Sequence, residues 1–223
     1  YEIAQCLVGS EMCIRDRTKN LYEKAISLAG LTGNERVMDA YCGIGTIGLI
    51  ASRDAREVIS VELNPDAVRD AVTNAKRNQI KNVSFYQNDA GAFMVSMAEK
   101  GEKADIVFMD PPRAGSDEAF LSSVVTLSPK KVVYVSCNPE TLARDLRYLT
   151  KHGYKAEEAW GYDMFAWSEH VESIVLLSKL KSNKLKHINV ELEMDELDLM
   201  AAESKAIYAE VKDYVSEAKR IES

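Results

Sequence analysis

The feature that most constrains the fold is a regular alternation of short strand-like runs and helix-like stretches between residues 18 and 180. The strand-like runs are apolar and rich in β-branched residues: RVMDAY, EVISVE, VSFYQ, DIVFMD, KVVYVS, YKAEEAWGYDMF and ESIVLLS. Helix-like stretches such as PDAVRDAVTNAKRNQ, with Pro65 in its first turn, lie between them. The pattern predicts an α/β fold with a mostly parallel sheet of about seven strands and helices on both faces. The last two strands have a short link and are predicted to be antiparallel.

The first helix is predicted to begin at residues 18–20, Thr-Lys-Asn, which precede an apolar face. Residues 1–17 show no clear helical or strand period, and the run CLVGSEMCIRDR looks like translated adapter sequence. We therefore interpret residues 1–17 as a segment that is not native to the domain formed by residues 18–180. An ordinary strand and turn is the alternative interpretation.

Residues 181–223 differ in composition from the rest and form a C-terminal extension of open role. The segment begins with a basic run, continues with the alternating stretch HINVELEMD and ends in a stretch with helical periodicity. The simplest interpretation is an amphipathic helix that packs locally. The start of a second domain and a contact with a partner are alternatives.

Composition limits the classes of function. The 223 residues are 46% hydrophobic and contain no apolar run near the roughly 20 residues that span a bilayer, so we expect a cytoplasmic, monomeric protein without membrane contact. The net charge of -7 disfavours binding of nucleic acid by bulk charge, so RNA binding needs a local patch or another domain. The four cysteines, Cys6, Cys13, Cys42 and Cys137, form no C-x-x-C pair, so we predict free thiols and no metal.

A glycine-rich turn follows the first strand. Gly43, Gly45 and Gly48 in DAYCGIGTIGL form the pattern G-x-G-x-x-G, which lets a ligand approach the backbone before a helix. Glu62 ends the next strand 19 positions after Gly43 and is placed to hold ribose hydroxyls, although a solvated strand end is the alternative. The turn alone also suits a nicotinamide dinucleotide. Asp39, four residues before Gly43, does not belong to that fingerprint.

A second motif, FMDPPRAG, follows the predicted fourth strand. Open α/β sheets bind ligands at the carboxyl ends of their strands, so Asp110 is expected to face a ligand cleft. The two prolines cannot continue the strand ladder and therefore end it. Enzymes that methylate base amino groups usually place an aromatic residue after Asp-Pro-Pro, whereas this sequence has Arg113. A loop with a helix cap is the structural alternative.

The motifs together identify a resemblance. Glu62 and Asp110 resemble the corresponding positions of class I S-adenosylmethionine-dependent methyltransferases, which have a Rossmann-like fold. More specifically, the chain from Thr18 to Lys179 resembles the RNA uracil-5-methyltransferase family, which methylates C5 of uridine in ribosomal or transfer RNA. The motifs that carry this resemblance are DAYCGIGTIGL, VELNPDAV, FMDPPRAG, VYVSCNPETLARDL and MFAWSEHVESIVLL.

The resemblance implies S-adenosylmethionine as cofactor and RNA as partner, with 23S ribosomal RNA favoured over transfer RNA. It implies that Cys137 is the nucleophile and Glu172 the general base. The cofactor-binding set that we predict is Tyr41, Gly43, Gly45, Glu62, Asp89 and Asp110, and the predicted substrate-binding residues are Arg113, Asn138 and His170. A structural hydrogen bond is an equal alternative for His170. The family's Phe-x-Gln-x-Asn segment is missing before Thr18, which puts the affinity for the cofactor in question.

The chemistry also requires a thiol and a base. Uracil C5 is a poor nucleophile until a thiolate adds to C6, and a base must later remove the C5 proton. We expect the helix after Pro139 to lower the pKa of Cys137 and apolar neighbours to raise the pKa of Glu172. Alone, Cys137 would be interpreted as a small buried hydrophobic residue. Methylation of another nucleobase group on the same fold, and a cofactor- or RNA-binding module without activity, remain alternatives.

Overall fold

The structure is a computed structural model that describes residues 10–164 and 171–180, with side chains from residue 17 onward. Within these residues thirteen elements follow one another: α1 Ser10–Ala29, β1 Arg36–Ala40, α2 Thr46–Ala51, β2 Glu57–Glu62, α3 Pro65–Arg77, β3 Val83–Gln87, α4 Ala90–Glu99, β4 Ile106–Met109, α5 Glu118–Leu127, β5 Lys131–Ser136, α6 Pro139–Lys151, β6 Tyr154–Tyr162 and β7 Glu172–Lys179. Each strand-like run of the sequence forms a strand, so the α/β prediction is confirmed.

The strands form one seven-stranded sheet in the order β3-β2-β1-β4-β5-β7-β6. Strands β1 to β5 are parallel, whereas β7 runs antiparallel to β5 and β6 antiparallel to β7, as predicted. The chain builds outward from β1 to β3, then returns to place β4 on the other side of β1. The order therefore reverses between β1 and β4, where an open α/β sheet leaves a crevice for ligands.

Two apolar cores cover the two faces of the sheet, as the period of two along a strand requires. In β5, Val132 and Tyr134 point into one core and Val133 and Val135 into the other. The first core is closed by α4, α5 and α6. The second is closed mainly by α1 and α2. Because the central strands contribute to both cores, packing on the two faces fixes the same strand ends.

The predicted start of the first helix was wrong. Helix α1 begins at Ser10 rather than at residues 18–20, so it runs across the expected boundary at residue 18. Arg17 contributes to its docking, because its guanidinium donates to the carbonyl oxygen of Asp163 at 2.8 Å. Lys24 on the same helix lies 3.6 Å from the ring centre of Trp160 in β6. Helix α1 thus starts earlier than the local sequence signals indicated, and it contacts β6 and the residue that follows it.

Several predictions concern residues outside the described ranges. His170 and the extension 181–223 are among them, as is the first part of the segment 1–17. In the part of the chain that the structure describes, no helix is both long and apolar enough to cross a membrane.

Candidate active site

The first part of the site is the turn that joins β1 to α2 at the reversal of strand order. Tyr41, Gly43 and Gly45 all have positive φ, with values of 61°, 52° and 85°. At Gly45 a side chain would also be crowded, because a Cβ would lie 3.1 Å from Phe85 and 3.2 Å from Ala71. A Cβ at Gly43 would meet nothing within 4 Å, so the turn is open to a ligand at Gly43, whereas at Gly45 the missing side chain makes room for packing inside the protein.

Glu62 connects this turn to the loop after β2. One carboxylate oxygen accepts a hydrogen bond from the Gly43 amide at 3.0 Å, and the other accepts from the Asn64 amide at 2.9 Å. A carboxylate has about four acceptor positions, so ribose hydroxyls still find acceptors on the same oxygens. The side chain thus shapes the turn, and its predicted role toward ribose is compatible with this geometry.

The surroundings of Glu62 fit an adenosine group. Ile44 and Leu63 expose 49% and 67% of their surface next to the turn and to Glu62. Exposed apolar side chains beside a carboxylate that can hold ribose suit the flat apolar faces of a purine. The residues present therefore fit the nucleoside part of S-adenosylmethionine.

Two further predicted cofactor residues have structural contacts. Asp89 caps α4, because its carboxylate accepts from the Ala92 amide at 2.8 Å. The Tyr41 ring packs against Phe120 with ring centres 4.7 Å apart, and burial raises the pKa of Tyr41 to about 12. Both residues lie at the carboxyl edge of the sheet, and their contact with a cofactor stays a prediction.

Asp110 follows β4 directly on the other side of the reversal point. Its carboxyl group is largely buried, which raises its pKa to about 7, and the nearby charge of Glu172 adds to the rise. Asp39, fully buried in β1, also has a pKa near 7 because of burial, although the Gly48 amide donates to it at 2.8 Å. These two groups can exchange protons near neutral pH, a property that no sequence motif indicated.

Cys137 lies between β5 and α6, and Glu172 begins β7 beside it. The register pairs Ser136 with Ser173, so Cys137, directly after β5, and Glu172, at the start of the adjacent β7, lie at the same end of the sheet. Cys137 is half-buried. The expectation of a lowered thiol pKa was wrong: burial and then the charge of Glu172 raise it, while the charge of Arg113 partly offsets the rise.

The two remaining predicted substrate residues, Asn138 and Arg113, are joined to each other. Asn138 caps α6 by accepting from the Glu140 amide at 3.0 Å, and its side-chain amide donates to the carbonyl oxygen of Arg113 at 3.1 Å. Arg113 is exposed, so its guanidinium can reach a ligand. The structure thus brings Cys137, Glu172, Asp110 and Arg113 to one end of the sheet.

The sequence analysis missed a buried carboxylate, Asp145. Its side chain is 0% exposed and accepts from the Tyr134 hydroxyl at 2.6 Å. The signal was present, since Asp145 occupies the apolar face of α6 together with Leu142, Leu146 and Leu149. A charged residue in such a stripe needs buried partners. Among the described residues no group of three or more His, Cys, Asp or Glu side chains could hold a metal ion.

The fold and the edge at which these residues meet define a class I S-adenosylmethionine-dependent methyltransferase. The same fold is found in magnesium protoporphyrin IX methyltransferase from Synechocystis with bound S-adenosylmethionine, with a TM-score of 0.61 at 14% identity, over 79% of this chain and 86% of that chain. This likeness shows the shared fold, and S-adenosylmethionine as the cofactor follows from the family of the chain and from a relative in complex with S-adenosyl-L-homocysteine.

Residues 18–180 match the family model of tRNA (uracil-5-)-methyltransferases, and the chain belongs to that family. It is 48% identical over 162 residues to an uncharacterised RNA methyltransferase of Halalkalibacterium halodurans, a match that covers 73% of this chain and 35% of that protein. A relative from Bacillus cereus with the same description is 46% identical over 74% of this chain and 36% of its own length.

A solved structure supports the same assignment. The tRNA (uracil-54, C5)-methyltransferase of Pyrococcus abyssi, in complex with S-adenosyl-L-homocysteine, is 32% identical with a TM-score of 0.61, over 71% of this chain and 37% of that chain. The chain thus spans little more than a third of the length of these relatives.

Proposed function

We propose that this chain carries the catalytic site of an enzyme that methylates C5 of uridine in RNA through a covalent bond between Cys137 and uracil C6. The observation that carries the proposal is the proximity of Cys137, directly after β5, to Glu172, at the start of the adjacent β7. The family to which the chain belongs supports the uridine substrate.

Cys137 acts first in the proposed reaction. Its thiolate adds to C6 of the uracil ring, and the electron pair of the C5–C6 double bond moves into the ring carbonyl, which makes C5 nucleophilic. S-adenosylmethionine supplies an electrophilic methyl group to C5 when it is bound. Burial and the charge of Glu172 raise the thiol pKa, and the charge of Arg113 is the largest influence that lowers it, ahead of a hydrogen bond from the Cys137 backbone.

Glu172 completes the reaction by removing the proton from C5, after which the C5–C6 double bond re-forms and the Cys137 sulfur leaves as thiolate. The charge of Glu172 acts on both Asp110 and Cys137, which supports its proposed role as the base that serves this nucleophile. Asp110, with a pKa near 7, is suited to exchange a proton or to accept hydrogen bonds at that cleft.

We propose 23S ribosomal RNA as the target and the cytoplasm as the location of the protein. The Pyrococcus abyssi protein is a transfer RNA enzyme, so transfer RNA is the second candidate. Both RNAs therefore belong in the assay.

The test uses ribosomal and transfer RNA that contain 5-fluorouridine, together with S-adenosylmethionine. Fluorine at C5 cannot leave as a proton, so the enzyme should stall as a covalent adduct that survives a denaturing gel and maps to Cys137. Cys137→Ala should form no adduct, whereas Cys42→Ala, which changes a buried thiol near the turn, should still form it. An adduct in the Cys137→Ala variant would contradict the mechanism. Methylation of ordinary uridine, without fluorine, by that variant at the normal rate would also contradict it.

A further inference from the structure

An ion pair on α6 between the exposed Arg144 and the buried Asp145 holds the loop that follows β4. The Asp145 carboxylate accepts from the Tyr134 hydroxyl at 2.6 Å, from the Ser116 amide at 2.7 Å and from Nε of Arg144 at 2.8 Å. All three donors converge on a side chain that is 0% exposed. A buried carboxylate with three donors is held in one geometry, because each lost hydrogen bond would leave a buried charge less satisfied.

Arg144 extends this pair to the backbone of the loop. One terminal nitrogen of its guanidinium donates to the carbonyl oxygens of Ala114 at 3.1 Å and Ser116 at 2.8 Å. Between them Gly115 has a φ of 72°, and a Cβ there would lie 2.7 Å from that nitrogen and 2.9 Å from an Asp145 oxygen. The loop is therefore pressed against the two side chains, and we call residues 144 and 145 the α6 clamp.

The loop held by the clamp carries Arg113 toward the nucleophile. The Arg113 carbonyl oxygen accepts from the Asn138 side chain at 3.1 Å and from the Thr141 hydroxyl at 3.3 Å. Asn138 directly follows Cys137, so the loop and the cysteine are tied to the same end of α6. The groups that face Cys137 are Glu172 and Asp110, which disfavour the thiolate, and Arg113, which favours it.

We propose that Arg144 and Asp145 are positioning residues that hold the loop on α6 and so keep the Arg113 guanidinium beside Cys137. This inference rests on the proposed role of Cys137 as nucleophile. The exposed Arg113 would stabilise the Cys137 thiolate only weakly if its side chain came near the sulfur only part of the time. Arg144 fixes the loop at the carbonyl groups of Ala114 and Ser116, just after Arg113. This keeps the Arg113 charge near the sulfur, where two carboxylates otherwise repel a thiolate.

The test follows the reactivity of Cys137 toward iodoacetamide as a function of pH, with the Cys137 peptide quantified by mass spectrometry. Arg144→Met should move the midpoint of the reaction to higher pH and slow alkylation near neutral pH by about three- to tenfold, as expected for a pKa rise of roughly half to one unit. Arg113→Gln should produce the same change, and the double variant should show no additional shift. Arg144→Lys, which keeps the charge but has no planar fork, should give an intermediate midpoint.

Arg147→Met is the matched control. It removes an exposed guanidinium one turn away on α6, which makes no ion pair or side-chain hydrogen bond with the described residues. It should titrate like the parent chain. A normal midpoint in either Arg144→Met or Arg113→Gln would overturn the inference, and so would an additive shift in the double variant. The assay needs neither RNA nor methyl transfer, so a failure of the proposed function leaves its result readable.

Discussion

At the residue scale, burial is the main cause of the unusual acid–base properties of this cleft. Asp39 and Asp110 lie at or just after the ends of neighbouring strands, and loss of solvent raises the pKa of both to about 7. The same cause raises the pKa of Cys137, despite the helix that begins two residues later. Desolvation is the largest influence on the Cys137 pKa, and the charge of Arg113 is the largest of those that lower it.

The Asp110 carboxyl group should make stability depend on pH. The pKa of Asp110 rises from 3.8 to about 7 on folding. The stability that protonated Asp110 contributes to the folded state is therefore complete below pH 3.8 and is lost as the pH rises through 7. A shift of this size corresponds to roughly 4 kcal/mol. Asp110→Asn should therefore be more stable than the parent chain at about pH 8 and should lose less stability than the parent between about pH 5 and pH 8.

Urea denaturation at both pH values measures this difference. Asp70→Asn is the control, because it removes an exposed carboxylate from α3. It should change stability by less than about 0.5 kcal/mol at either pH. Equal pH dependence in Asp110→Asn and the parent would contradict the assignment of a buried, readily protonated carboxyl group.

At the scale of elements, the loop after β4 depends on α6 for its shape. Its connections to α6 come from Asn138, Thr141, Arg144 and Asp145, all within the first two turns of the helix and its cap. One helix thus holds both the residue that follows the nucleophile and the loop that carries Arg113. Displacement of α6 would therefore alter both parts of the cleft together.

A pair of glycine substitutions separates backbone strain from contact with α6. Gly115 and Gly101 have the same φ of 72°, but a Cβ at Gly101 meets nothing within 4 Å, whereas a Cβ at Gly115 would lie 2.9 Å or less from two groups of the α6 clamp. Both alanine variants should lose about 1 kcal/mol of folding stability, because alanine is strained at a positive φ. Gly115→Ala should lose about 1–3 kcal/mol more, because the loop must move away from the helix.

Thermal and urea unfolding of the two variants test this prediction. Equal destabilisation of Gly115→Ala and Gly101→Ala would show that the loop can leave α6 at no cost. The Cys137 alkylation profile should change only in Gly115→Ala, since Gly101 lies in the turn after α4.

At the scale of the whole molecule, one sheet supports two cores and should unfold as a unit. The inner strands contribute alternate residues to both faces, so loss of either core removes support from the same strands. Domains that share a sheet in this way usually unfold in a single transition. The cleft at the strand ends accordingly depends on packing on both faces.

Leu142→Ala and Leu21→Ala test this coupling from opposite sides of the sheet. Leu142 of α6 and Leu21 of α1 are 1% and 4% exposed. Each substitution should cost about 2–5 kcal/mol. In each variant, tryptophan fluorescence and far-ultraviolet circular dichroism should report the same urea midpoint, and Leu180→Ala, at an exposed position, should leave that midpoint nearly unchanged. Two separate transitions in either core variant would contradict the shared-sheet interpretation.

The sequence by itself determined the order and type of the elements. The apolar period of two and the Asn64-Pro65 and Asn138-Pro139 helix starts are local signals, and the structure places strands and helices where they predicted them. The motifs at the strand ends also predicted that these residues share one edge of the sheet, because parallel strands bring their carboxyl ends together. Local signals did not predict the start of α1, which begins earlier than they indicated. Arg17 and Lys24 of this helix contact residues near the end of β6.

Only the tertiary structure decided the electrostatics of the site. The pKa of Cys137 depends on its burial and on charges from β7 and from the loop after β4. The direction of the pKa shift therefore depends on the combined effect of residues that are distant in sequence. The role of Asp145 likewise depends on partners 11 and 29 positions away. Desolvation and Coulomb energy depend on distances in space, whereas hydrophobic periodicity depends on position along the chain. For this reason the strands could be predicted from the sequence, but the protonation of the cleft and the clamp on α6 could not.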